Sequence, residues 1–233
     1  MADRAGLPSR ELLKTYPRKI RTRIETTDWR ITLYLIFFTT VAYLGQTLAA
    51  IWLNASIEGV TAYLFLNYPL VAWPLSPFLH SGNPHFLANI AMLALTGIET
   101  QRHLSDRQYI GLFLVSAVVT GLAGAATMLP FADGPVATYG ISGFVFALAT
   151  YLLVHLWLAH DEPVFTSEGF NFDQHPLEIV GILLGVSVVL SVATDLGQAL
   201  LNGFQGMNGG HLGGAVLGIV AGIFSKMVRS CNK

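Results

Sequence analysis

The sequence predicts an all-α membrane protein with six transmembrane helices and both termini in the cytoplasm. Three observations carry that expectation. The 233 residues are 53% hydrophobic and only 12% charged, with a mean hydropathy of +0.55, whereas soluble domains carry roughly 25% charged residues. The apolar residues gather into six runs near the ~20-residue length that a hydrocarbon core of ~30 Å demands of a helix. Threaded through a membrane six times, the chain keeps all thirteen of its Lys and Arg on one side, the cytoplasmic side by the positive-inside rule. Strand alternation, the mark of a membrane barrel, is absent.

Residues 1–30 form a basic cytoplasmic tail, with Arg4, Arg10, Lys14, Arg18, Lys19, Arg21, Arg23 and Arg30. Such a cluster holds the N-terminus inside and can touch anionic lipid. This stretch lacks the apolar core and small-residue cleavage site of a signal peptide, so the first span is expected to do the targeting. Residues 31–228 form the membrane domain and 229–233 a short cytoplasmic tail. With Cys231 as the single cysteine, no intrachain disulfide and no cysteine-based zinc cluster is expected. Neither a staple nor a cofactor is implied. The lipid bilayer is the expected partner and nucleic acid is not.

Span 1 runs from Ile31 to about Leu53. The segment Asn54 to Gly82 has no Lys or Arg but carries Tyr63, Phe65, Tyr68, Trp73 and Phe78, broken by Pro69, Pro74 and Pro77. It is expected to be a long outer loop lying in the interface, where aromatic residues with a polar edge are at home. Span 2 opens on Asn83-Pro84, a cap followed by a first-turn proline, and ends near Thr100, before a turn marked by Glu99, Arg102, Asp106 and Arg107. Span 3, from Tyr109 to about Leu129, carries the small residues Gly121, Gly124, Ala125 and Ala126.

Span 4 runs from about Gly140 to Leu158, and an acidic loop follows with Asp161, Glu162, Glu168 and Asp173. Alternation places that loop inside. Span 5 covers about Glu178 to Leu201. A glycine-rich loop, Asn202 to Gly210, then precedes span 6, His211 to about Val228.

Spans 2, 4 and 6 all descend from the outer face in this scheme. His85 and Asn89 open span 2, Ser142 opens span 4 and His211 opens span 6, so four polar groups share one depth. Polar residues inside a membrane are costly and mark functional sites by default. Gly214, Gly218 and Gly222 recur every four residues below His211, which permits intimate helix packing, and Gly143 with Ala147 supplies a small stripe on span 4. A serine beside a histidine is the minimum for an activated nucleophile. The free N–H groups at a helix start, together with side-chain donors, suit a developing oxyanion.

These residues resemble the rhomboid family of intramembrane serine proteases. The likeness rests on the GxSG motif Gly140-Ile141-Ser142-Gly143, the HxxxN motif from His85 to Asn89, the earlier His80, and His211 followed by Gly214. It implies a rhomboid-like six-helix bundle in which Ser142 is the nucleophile and His211 the general base, then acid. His85, Asn89 and the amide of Ser142 would form the oxyanion hole. It also implies transmembrane protein substrates cleaved near their outer ends, with no metal or organic cofactor. Many relatives carry tyrosine one turn after the serine, where this chain has Phe146. The expected location is the plasma membrane of a prokaryotic cell.

Each residue also has a plainer reading. Ser142 alone could be a packing residue, and His85 with Asn89 could cap a helix or meet lipid head groups. His80 is expected to bond loop backbone, Asp195 to serve a helix end, and His155 to lie too deep to join Ser142. A client-binding relative without protease activity is the closest alternative function. A channel is disfavoured because the polar groups cluster at one face and no internal repeat is evident.

Overall fold

The computed structural model describes residues 29–132, 136–158, 165–166, 169–170, 176–202 and 208–231. The basic tail up to residue 28, the four acidic residues of the 160–177 loop, and residues 203–207 therefore lie outside the described residues. Helix α1 covers Arg30–Leu53 and ends where Asn54 turns left-handed (φ 50°), its N–H returning to Ala50 and Ile51 carbonyls. Residues 54–82, expected to be an interfacial loop, are more ordered than their composition suggests. They fold into α2 (Ile57–Asn67), α3 (Pro69–Leu75) and a 3₁₀ turn at Ser76–Phe78. Ser56 caps α2 by accepting the Gly59 N–H at 2.9 Å. Pro69 sits at the first turn of α3, where its missing N–H costs nothing.

Helix α4 (Asn83–Gln101) begins one residue earlier than a cap at Asn83 would allow. Gly82 is the flanking residue, and the Asn83 side chain instead accepts the hydroxyl of Tyr43 on α1. The amide oxygen is thus spent on joining two helices. Helix α5 (Asp106–Met128) starts at a reciprocal capping box between Ser105 and Gln108, which satisfies two otherwise orphaned donors. A 3₁₀ turn at Leu129–Phe131 follows. Helix α6 covers Ser142–Leu158, α7 Pro176–Leu201 and α8 Gly209–Cys231. Between α6 and α7 a two-residue antiparallel pair, β1 (Phe165–Thr166) with β2 (Gly169–Phe170), falls in the stretch read as an acidic loop.

Helices α1, α5, α7 and α8 are long and apolar enough to cross a membrane, and α6 is a shorter apolar helix. Its apolarity runs all round and so does its burial, as expected for a central helix. Ala147, Leu148, Ala149, Tyr151 and Leu152 are fully buried, and α4, α5, α7 and α8 all pack against it.

The closest pairing is α6 with α8, and it is parallel. A Cβ placed on Gly214 would lie 2.1 Å from the Gly143 carbonyl oxygen, and one on Gly218 would lie 2.1 Å from that of Ala147. Gly222 faces Tyr151 and Val154 in the same register. Thr150 Oγ1 donates across the seam to the Ala215 carbonyl at 2.9 Å. Backbones this close need glycine on one side, and the four-residue glycine spacing supplies it along the whole contact.

Polar contacts assign the remaining helix ends. At one end Thr32 Oγ1 bonds Gln101 Oε1 and the Tyr109 hydroxyl, each at 2.9 Å, and Arg102 holds Glu99 at 2.9 and 3.0 Å. That end gathers the start of α1, the end of α4 and the start of α5. The opposite end holds the starts of α4, α6 and α8.

Candidate active site

The start of α6 is set by Gly140. Its φ of +106° suits glycine, and a Cβ there would meet the His85 ring at 2.9 Å. Its N–H donates to the Ser76 carbonyl at 2.8 Å, which fastens the interfacial segment to the turn. The next turn places Ser142 at the first helical position, 9% exposed. Its neighbour Gly143 lies against Thr120 of α5, where a Cβ would approach within 2.5 Å of the threonine methyl.

His211 reaches the same point from α8. Asn208 precedes the helix, and its side-chain oxygen accepts the His211 backbone N–H at 3.2 Å, the bond of a helix cap. Gly209 N–H donates to Thr127 Oγ1 of α5 at 3.2 Å. His211 is therefore held by its own cap and by α5. Its Nε2 stands 3.1 Å from Ser142 Oγ, and Phe146 stacks on the imidazole with centroids 4.1 Å apart and planes 17° apart.

His85 enters the same cavity, a space of about 410 Å³ that also takes in Ser142, His211, Tyr139 and Thr138. Ser81 Oγ lies 3.1 Å from His85 Nδ1. If the hydroxyl donates there, Nε2 carries the proton and becomes a donor. Asn89 is buried one turn below, away from the cavity wall, with one amide hydrogen given to the His85 carbonyl at 2.9 Å. Its second amide hydrogen is the one left for another acceptor. Ser142, His211 and His85 thus surround one space, while Asn89 stands behind His85.

The remaining candidates are placed elsewhere. His80 is fully buried in the loop before α4, its Nδ1 3.2 Å from the Phe78 carbonyl, its backbone held in both directions by Gln46. Asp195 lines a small recess with Asn208 and Leu212. His155 sits far along α6, with Tyr151 and Ser225 at 3.2 and 3.3 Å. Asn208 and Ser81 are the positioning groups that motif reading passed over. An asparagine just before Gly-Gly-His has the form of a helix cap, whereas nothing in the local pattern marks Ser81.

With this geometry in place the comparison with known families is decisive. Residues 69–227 match the Rhomboid domain. The chain belongs to the Rhomboid family. No match was found among curated proteins. Family membership and the apolar helices together make this rhomboid an integral membrane protein.

Proposed function

We propose that this rhomboid is an intramembrane serine endopeptidase, hydrolysing peptide bonds in or near transmembrane segments of membrane-protein substrates. The observation that carries the reading is the 3.1 Å approach of Ser142 Oγ to His211 Nε2. In this mechanism His211 takes the hydroxyl proton as Ser142 attacks the scissile carbonyl, since a free hydroxyl is a poor nucleophile until a base takes its proton. The tetrahedral oxygen is met by the Ser142 N–H and by the His85 Nε2–H, and Asn89, set behind His85, adds its remaining amide hydrogen once its side chain turns toward the cavity. Such donors are each worth about 3 kcal/mol of barrier. Collapse releases the amine, which leaves with the proton from His211. A water molecule, deprotonated by the same imidazole, then hydrolyses the acyl-serine and restores the enzyme.

The same reading includes six membrane crossings, with α4 and α6 as the two short ones, both termini in the cytoplasm, and the Ser142 end of the bundle outside. It also includes the prokaryotic plasma membrane as the location. The parallel register of α6 and α8 supports the alternation, because spans 4 and 6 must then run in the same direction.

The test is a serine-directed fluorophosphonate probe together with cleavage of a model transmembrane substrate. Wild type should label and cleave, while Ser142→Ala and His211→Ala should do neither and remain folded. Equal cleavage by wild type and Ser142→Ala overturns the proposal. Failure of wild type to label or cleave at all replaces it with a client-binding rhomboid-like role.

A further inference from the structure

At the end of the bundle away from Ser142, α5 and α8 part. Near Ser142 they are drawn together by small residues, with Gly209 and Gly213 against Ala123 and Gly210 against Thr120. Further along, the residues that α8 turns to this side are larger, including Leu217 and Phe224, and the helices open into a crevice of about 570 Å³. Leu112, Val115 and Leu217 make its walls apolar, and Tyr151 of α6 stands at its back. Val115 and Phe224 are 47% and 64% exposed, so the crevice opens sideways, to whatever surrounds the bundle.

Its composition changes along its length. The mouth nearest the helix ends is polar, made by Gln108, by His103, whose Nε2 faces the buried Glu99 carboxylate at 3.3 Å, and by Ser225, which meets His155 at 3.3 Å. Arg107 is exposed in the first turn of α5, four residues before Gly111 of the crevice wall, and residues at that spacing share a helix face. Lys226 follows Ser225 and is also exposed. The acid Asp106 shares its face with Ile110 instead, which is not part of the wall. A long apolar slot open to hydrocarbon, with cationic and hydrogen-bonding groups at one end, is complementary to a single amphiphile carrying a negative head.

We propose that this crevice is a binding site for one anionic phospholipid, its acyl chain between α5 and α8 and its phosphate at the Arg107 and Gln108 mouth. Placing that lipid in the cytoplasmic leaflet rests on the topology proposed above, whereas the existence of the site does not depend on proteolysis. The site also differs from the Ser142 cavity in its walls, sharing no residue with it.

Native mass spectrometry of the full chain, extracted in mild detergent from vesicles of equal phosphatidylglycerol and phosphatidylcholine, tests this. Wild type should retain one phospholipid, with phosphatidylglycerol favoured at least fivefold. Gly111→Phe projects into open space, with nothing within 4 Å of its Cβ, so it should fill the crevice and lower retention at least fivefold. Gly45→Phe on α1, equally open, should retain lipid as wild type does. Arg107→Glu should keep the helices folded and remove the headgroup preference. Ser142→Ala should bind as wild type, so a failure of the protease reading leaves this result untouched. No retained lipid, equal retention by the Gly111→Phe and Gly45→Phe variants, or equal binding of the two lipids by wild type would overturn the proposal.

Discussion

Phe146 lies flat on the imidazole of His211, one turn below the serine that the same imidazole touches. The stack fixes the plane of the ring without adding a hydrogen bond, so it orients the imidazole that is the proposed base. Aromatic pairs of this kind are worth about 1 kcal/mol beyond their area burial. Phe146→Tyr should therefore stay within a few-fold of wild-type turnover of a transmembrane substrate. Phe146→Leu should lose about tenfold in kcat with little change in KM, since it loosens the base and not the substrate. A KM effect with kcat intact would assign Phe146 to substrate binding instead.

Gly140 offers a test of the turn. Alanine there would carry a Cβ at a left-handed φ and press it within 2.9 Å of His85. Backbone strain alone costs about 1–2 kcal/mol, and the displaced ring is a proposed oxyanion donor. Gly140→Ala should lower the unfolding temperature modestly and kcat severely. Gly197→Ala, whose Cβ meets nothing within 4 Å, should do neither.

How much of this was legible in the sequence differs by element. The long helices were, because each apolar run approaches the length of a membrane span, although α5 starts three residues before the expected Tyr109, at the capping box of Ser105 and Gln108. So was the meeting of Ser142 with His211, because alternation puts both at one depth and the glycine spacing of α8 permits a close helix contact. The interior of the interfacial segment was not. Its prolines, read as breakers, start helices as well, and α2 and α3 are too short to show a period. Asn83 illustrates a second limit. A cap and a tertiary hydrogen bond use the same side-chain oxygen, and only the position of Tyr43 decides between them. Asn89 illustrates a third: the four-residue spacing placed it near His85 correctly, but not that its amide would be turned to the His85 carbonyl.

The α6 and α8 seam predicts a graded loss. Gly214→Ala and Gly218→Ala each force a methyl into a carbonyl oxygen, and overpacking of this kind costs about 1–3 kcal/mol. Both should lower thermal stability in detergent. Gly214→Ala should also reduce fluorophosphonate labelling more than Gly218→Ala does, because it separates the helices within one turn of the Ser142 and His211 contact. Equal labelling of the two variants would show that the seam yields uniformly.

His80 sets a pH dependence of stability. Burial, and secondarily the charge of nearby His85, push its pKa down to about 4, and the loop that carries it lies outside the helices. Its contact with the Phe78 carbonyl requires the proton on Nδ1, leaving Nε2 as the titrating atom, buried and without a partner among the described residues. The unfolded chain binds this proton near pH 6.5 and the folded chain only near 4, so between those values the unfolded state holds more protons. Stability is therefore greatest above pH 6.5 and falls as the pH drops toward 4, by on the order of 3 kcal/mol if His80 acts alone. Thermal unfolding of wild type and His80→Asn across pH 7.5 to 4.5 measures this. The variant should start less stable, through loss of packing against Tyr43 and Phe86, and should lose less on acidification. Parallel curves would mean that His80 is not the group that titrates.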